Sequence, residues 1–255
     1  MTFECELCQD TEFISVQKHL YTIKQNGEEK KIYGTVSEPC KCRETKYYKR
    51  IMESSGISDS DKTKTVNAYK PKVSADGKEN IKQRQAKAIA IDYIKSFQDI
   101  ESTRNNSIAF LGQPGSGKTH LSIAIANELL KRGTGVLYMP YREVITQIKQ
   151  VINDDEEYQT LMNKYKTAPI LLIDDLFKLA IKDGRVNESE MRIIFELVNY
   201  RYLKQLPVIV SSEYFSKQLV DFDDATGSRI VEMCKGRIVE LKGKELNHRM
   251  EGLNE

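Results

Sequence analysis

Gly112-Gln113-Pro114-Gly115-Ser116-Gly117-Lys118-Thr119 satisfies G-x-x-x-x-G-K-[ST] at every fixed position. Such a loop works only between a strand and a helix. Its glycines let backbone amides wrap phosphate oxygens, and the helix N-terminus aims its free N–H groups at the negative charge. The flanks meet that requirement. Residues 108–111 read as an apolar strand, and Leu121, Ile125, Leu129 and Leu130 recur at helical spacing as far as Gly133. Lys118 is therefore expected to pair with the outer phosphates of ATP and Thr119 to hold Mg²⁺, with His120 beside them among the nucleotide-binding residues.

Strand and helix patterns go on alternating. Residues 81–97 carry Ala86, Ile89, Ala90, Tyr93, Ile94 and Phe97 at helical spacing; 136–139 read as a strand, 143–152 as a helix, 191–203 as a helix and 207–210 as a strand. The continuous apolar run at 169–173 fits a strand covered on both faces. This alternation predicts an α/β domain with a doubly wound parallel sheet flanked by helices. The run at 169–173 delivers Asp174 and Asp175 to the carboxyl edge of the sheet, where ligands of open α/β sheets gather. Asp174 is expected to bind Mg²⁺ through water, and Asp175 to orient or deprotonate the attacking water. Two acids after a strand can be a solvated turn; the complete phosphate loop upstream favours the functional reading.

Five cysteines are unevenly placed: Cys5, Cys8, Cys40 and Cys42 lie close to the N-terminus and Cys234 stands apart. The two short-spaced pairs can each present two thiolates to one tetrahedral ion, and zinc is the expected metal. Asn26-Gly27 is a favoured two-residue hairpin turn, and counting outward from it sets Tyr21 opposite Ile32, which returns Cys40 towards Cys8. About 50 residues hold too little core to stand alone, so the metal would supply folding energy. His19 is a spare ligand candidate or an ordinary strand residue, and Cys234 reads as a buried small hydrophobe. Arg43, Lys46, Tyr47, Tyr48, Lys49 and Arg50 suit either DNA contact or the solvated start of an amphipathic helix.

These features divide the chain into a zinc module over 1–52, a polar linker over 53–79 and the ATPase domain over 80–255. The alternative for 53–79 is an ordered strap lying on the ATPase domain. A formal charge of +2 is too small to mark a nucleic-acid binder by overall field. The sequence lacks the roughly 20 uninterrupted apolar residues of a membrane span and opens with Glu4, Cys5 and Glu6 rather than a signal pattern, so the expectation is a cytoplasmic protein with no membrane partner.

The phosphate loop, Leu171-Leu172-Ile173-Asp174-Asp175-Leu176, the stretch 192–202 and Pro207-Val208-Ile209-Val210-Ser211-Ser212-Glu213 resemble the AAA+ family of DnaC/DnaI-type replicative helicase loaders, and the transposon-associated IstB ATPases share the pattern. The similarity covers about 80–249, and the cysteine-bearing piece is similar to that of phage and Gram-positive members. The resemblance implies a sensor 1 position at Ser212 and Glu213, where the family often has Asn after Ser or Thr. It implies an arginine finger at Arg229 that reaches a neighbour's nucleotide, and a sensor 2 arginine at Arg249. Either arginine could instead be an ordinary surface residue. Phe177 stands where the family usually has Gly, Asp175 is shorter than the usual Glu, and Glu213 cannot donate a hydrogen bond to a phosphate, so hydrolysis is expected to be slow. By the same resemblance the zinc module holds a hexameric replicative DNA helicase, and the ATPase domain self-associates and engages single-stranded DNA. The alternatives are a nucleotide-gated adaptor with little hydrolysis and an IstB-like transposition ATPase.

Overall fold

Alternate residues of the apolar runs face opposite ways, and that period of two builds the domain. Ala109, Leu111, Leu171, Ile173, Val208 and Val210 pack into one hydrophobic cluster, while Ile108, Phe110, Ile170, Leu172 and Ile209 pack into another. The computed structural model describes residues 3–25, 28–73, 77–182 and 184–250. The chain divides into two units, Met1–Arg50 and Ile51–Glu255.

In the first unit β1 (Phe13–Gln25) pairs antiparallel with β2 (Glu28–Pro39), and α1 (Cys42–Ser54), which begins at the last of the four clustered cysteines, runs on past Arg50. Tyr21 lies opposite Ile32, the register expected from the sequence; the Asn26-Gly27 turn itself falls outside the described residues. The strands run much further than the residues flanking that turn suggested. Their pairing shifts between His19 and Tyr21, leaving Leu20 as an extra residue. Among the described residues of this unit only Cys8 and Cys40 are buried hydrophobic positions, so the hairpin has no core of its own.

In the second unit the strands are β3 (Ile108–Gly112), β4 (Val136–Pro140), β5 (Ile170–Leu176), β8 (Val208–Ser212) and β9 (Ile238–Leu241), all parallel in the order β4-β5-β8-β3-β9. A short antiparallel pair, β6 (Ile181–Lys182) and β7 (Arg185–Val186), follows β5. One face of the sheet is covered by α2 (Ile81–Ile100) and α3 (Lys118–Lys131), the other by α4 (Tyr141–Gln150), α5 (Asp155–Thr167), α6 (Glu188–Lys204) and α8 (Asp224–Met233), with α7 (Ser216–Phe222) packed on α8. The helices carry ordinary start signals: Asn80, Asp154, Asn187 and Asp223 each accept hydrogen bonds from the first-turn N–H groups of α2, α5, α6 and α8.

In the described part of the expected linker, residues 53–73 and 77–79, the contacts favour the strap alternative. Ile57, Val66 and Tyr69 are buried in the cluster beneath α2 and α3. Asn127 of α3 donates to the carbonyls of Asp61 and Lys64 at 2.9 Å each. Three apolar anchors spaced along a polar stretch are enough to seat it, although its composition resembles that of a linker.

Arg201 is fully buried and faces no carboxylate in any described contact. Its guanidinium donates instead to the carbonyls of Tyr165, Lys166, Ala168, Pro169 and Pro207, tying the turn before β5 to the turn before β8. Burial pulls its pKa down to about 9.

Candidate functional site

The phosphate loop connects β3 to α3, and its conformation requires glycine. Gly117 caps α3 with φ of 90°, a left-handed backbone that other residues rarely adopt, and a Cβ there would run into the ring of Tyr69. Tyr69, from the strap, donates its hydroxyl to the Ser116 carbonyl at 3.0 Å. From the other end of the chain, His248 donates its backbone N–H to the Gly115 carbonyl at 2.9 Å, and the Asn247 amide lies against Gly115. Gln83 joins the two coverings: its side chain accepts from the Lys72 N–H at 2.8 Å and meets the His248 ring at 2.9 Å. Within the loop, Ser116 donates its hydroxyl to the Gln113 carbonyl at 2.8 Å, and the Gln113 side chain accepts from Gly243 N–H.

Lys118 is buried and donates to the Gln113 carbonyl at 2.8 Å. Burial lowers its pKa to about 8, against the opposing pull of Asp175, Glu213 and Asp174. Thr119 donates its hydroxyl to Asp174 Oδ1 at 2.9 Å, the Tyr138 hydroxyl reaches Asp174 Oδ2 at 3.1 Å, and the Ser211 hydroxyl also donates to Oδ1. Burial nevertheless raises the Asp174 carboxyl above its ordinary range, with the charge of Asp175 adding to the effect. The two residues expected to hold Mg²⁺ are thus in direct contact. Their oxygen donors fit a hard divalent cation, which would balance the buried carboxylate and neutralise phosphate charge.

Asp175 leaves the ladder. Pairing between β5 and β8 is interrupted between Ile173 and Leu176, Asp175 has φ of 57°, and its N–H bonds the Ser211 hydroxyl at 2.9 Å. Lys178 holds its carboxylate at 2.5 Å and also reaches Glu213 at 3.6 Å. Phe177, two residues on, also has a left-handed φ of 63°, which accounts for glycine being favoured at such a position. Its buried ring meets Tyr141 and Phe222 edge-on at 5.9 and 6.1 Å, packing that offsets the backbone strain.

The remaining candidates lie as follows. Ser212 is buried with its hydroxyl donated to the Leu176 carbonyl and accepting from Tyr214 N–H, so it braces β8 against β5. His120 turns its Nε2 to the Thr65 carbonyl of the strap at 2.9 Å. Arg229 lies over the rings of Phe195 and Tyr202 at 5.5 and 5.4 Å and donates to the Ala225 carbonyl at 2.5 Å. Arg249 is exposed, two residues beyond Asn247. Ser211, Tyr138, Lys178 and Tyr69 were not among the sequence candidates. Ser211 alone carried a signal, as a hydroxyl residue ending an apolar strand.

In the first unit the sulfurs of Cys5, Cys8, Cys40 and Cys42 all lie within 4.8 Å of one another, with Cys5 to Cys40 at 3.8 Å and Cys8 to Cys42 at 3.4 Å. Four thiolates at zinc–sulfur distance are separated by about 3.8 Å in a tetrahedron, so the donor set fits zinc. The thiols shift unequally. Cys5 is drawn down to about 7, chiefly by the Cys8 backbone N–H, whereas burial pushes Cys42 up. Four crowded thiols cannot all ionise without a cation among them. Cys234 is fully buried in the second unit, and His19 bonds the Thr22 hydroxyl at 2.9 Å. The basic run is paired internally: Lys46 with Asp10 and Glu4, Lys49 with Glu4, Arg50 with Glu12, while Arg43 covers the Phe13 ring. No helix among the described residues is long and apolar enough to cross a membrane.

A parallel sheet whose phosphate-loop strand is separated from the acid-bearing strand by one intervening strand, with Thr119 and Asp174 in contact, defines a P-loop ATPase. The chain belongs to the IstB-like ATP binding protein family, whose model matches residues 57–250. It is similar to the phage-like element PBSX protein XkdC of Bacillus subtilis (strain 168), 35% identical over 258 residues that cover 98% of this chain and 88% of the relative. It is also similar to the replicative helicase loader DnaC of Escherichia coli (strain K12), 33% identical over 118 residues, 44% of this chain and 45% of the loader. A crystal structure of the DnaC helicase loader superposes with a TM-score of 0.57 at 20% identity, covering 72% of this chain and 100% of that one, a likeness of fold.

Proposed function

We propose that this chain is an ATP-dependent loader of a hexameric replicative DNA helicase onto single-stranded DNA, acting in the cytosol. The observation that carries the reading is the joined nucleotide site, with Lys118, Thr119 and Asp174 brought together at the carboxyl edge of a sheet shared with helicase loaders. In this reading the loop amides and Lys118 bind the phosphates, Thr119 and Asp174 hold Mg²⁺, and Asp175 orients the water. Mg²⁺ supplies neutralisation of phosphate charge when bound. Arg229 leaves its two aromatic rings to complete a neighbour's site, which makes turnover depend on self-association. Arg249 reads the bound nucleotide in cis. The zinc-held hairpin grips the helicase, and its exposed Leu20, Tyr21 and Tyr33 offer an apolar surface for that purpose.

The test is ATP hydrolysis with and without single-stranded DNA and helicase, comparing wild type with Lys118→Ala and Arg229→Ala. DNA-stimulated turnover that both variants lose is expected. Turnover that survives Arg229→Ala would remove the trans element.

One observation favours a second reading, a nucleotide-gated adaptor with little hydrolysis. Asp175 is clasped by Lys178 rather than free to meet water. ATP binding with negligible turnover under every condition would favour it over the loader that hydrolyses.

A further inference from the structure

Lys178 stands between two carboxylates at the carboxyl edge of the sheet. Its ammonium is 2.5 Å from Asp175 and 3.6 Å from Glu213, and about a third of its side chain is exposed, which leaves it able to move. Asp174, Asp175, Glu213 and Lys178 all act electrostatically on Lys118, so five charged groups share this edge. Counted as ionised, three acids and two cations leave it one negative charge in excess, which a magnesium ion held by Thr119 and Asp174 would turn into one positive. Without that ion and with Lys178 neutral, the negative excess would be two.

The two hydroxyls that close β8 beside it are committed. The Ser211 hydroxyl serves Asp174, and the Ser212 hydroxyl serves the Leu176 carbonyl. Glu213 and Asp175 can only accept when ionised. We infer that Lys178 is a phosphate-reading residue: its ammonium exchanges a carboxylate for the terminal phosphate of a nucleoside triphosphate, and so distinguishes the triphosphate from the diphosphate. Glu213 holds the ammonium in place for that exchange, and the exchange frees Asp175 to meet water. The inference rests on the ATPase reading.

The experiment measures affinity for magnesium AMPPCP and magnesium ADP by displacement of a fluorescent ADP analogue, for wild type, Lys178→Met and Lys178→Arg. A charged hydrogen bond to phosphate predicts about a tenfold loss of AMPPCP affinity in Lys178→Met with ADP affinity unchanged, and recovery of most of it in Lys178→Arg. Equal losses for both nucleotides, or no loss for either, would overturn the role. So would a gain in AMPPCP affinity, which would make Lys178 a lock on Asp175. Failure of wild type to bind either nucleotide would instead sink the ATPase reading itself.

Discussion

Thr119 donates its hydroxyl to Asp174 Oδ1 at 2.9 Å, joining the first turn of α3 to the end of β5. The contact sets two oxygen groups side by side, with the carboxylate buried among three hydroxyls.

Asp174→Asn is expected to stabilise the nucleotide-free protein by about 1 kcal/mol, raising Tm by a few degrees, while abolishing magnesium-dependent nucleotide binding. The sign follows from the raised carboxyl: the folded state holds its proton more tightly than the unfolded state, so stability falls as pH rises through that interval. Thermal melts with and without Mg-ATP check both parts; a lowered Tm for the variant would contradict the burial argument.

Lys118, brought down to about 8 by burial, loses its proton in the free protein at mildly alkaline pH. A bound polyanion favours the ammonium, so nucleotide binding at pH 8.5 should take up a proton, and affinity should decline between pH 7 and 9. Calorimetry in two buffers of different ionisation enthalpy reads the uptake directly, and identical heats would refute it. For the free protein the sign is opposite to that of Asp174. A lysine held below 10.5 contributes stability that grows as pH rises from about 8 towards that value.

The cysteine cluster should bind one zinc per chain. Cys8→Ser and Cys40→Ser should lose it, and Cys234→Ser should keep it despite a lower Tm, because Cys234 is buried elsewhere. Chelation should unfold the hairpin unit, which has no other core, and leave the second unit's thermal transition in place. Metal content by elemental analysis, with circular dichroism before and after chelation, decides between this and a reduced, metal-free hairpin.

Arg201→Met should cost on the order of 3–5 kcal/mol, since it strands several buried carbonyls at once. Urea unfolding measures it. A loss under 1 kcal/mol would mean that the two turns hold without their clamp.

The phosphate loop, the strand that carries Asp174, most helices of the second unit and the cysteine quartet were legible because each is written in local pattern: glycine spacing, apolar period and paired thiols. α5 was passed over although its signals were present, with Asp154 as cap, Asp155, Glu156 and Glu157 in the first turn and Lys164 and Lys166 in the last. Its weak apolar content masked them. The strap was misread for a related reason. Ile57, Val66 and Tyr69 are too sparse to form a periodic pattern, and only the surface of α2 and α3 gives them something to bury against.

By itself the amino-acid order determined the phosphate loop and the paired thiols, because the residues involved and the turns that present them are encoded within a few positions. Only the tertiary structure decided which side chains surround them. It set Ser211 and Tyr138 on Asp174, Lys178 between Asp175 and Glu213, Tyr69 over Gly117, and Arg229 on Phe195 and Tyr202. Most of these pairs join different elements through the packing of a parallel sheet, and even Lys178, three residues from Asp175, meets Glu213 only because β5 and β8 end side by side. Contacts of that kind depend on strand order, a bulge after Ile173 and the burial of whole faces, none of which leaves a local mark in the sequence.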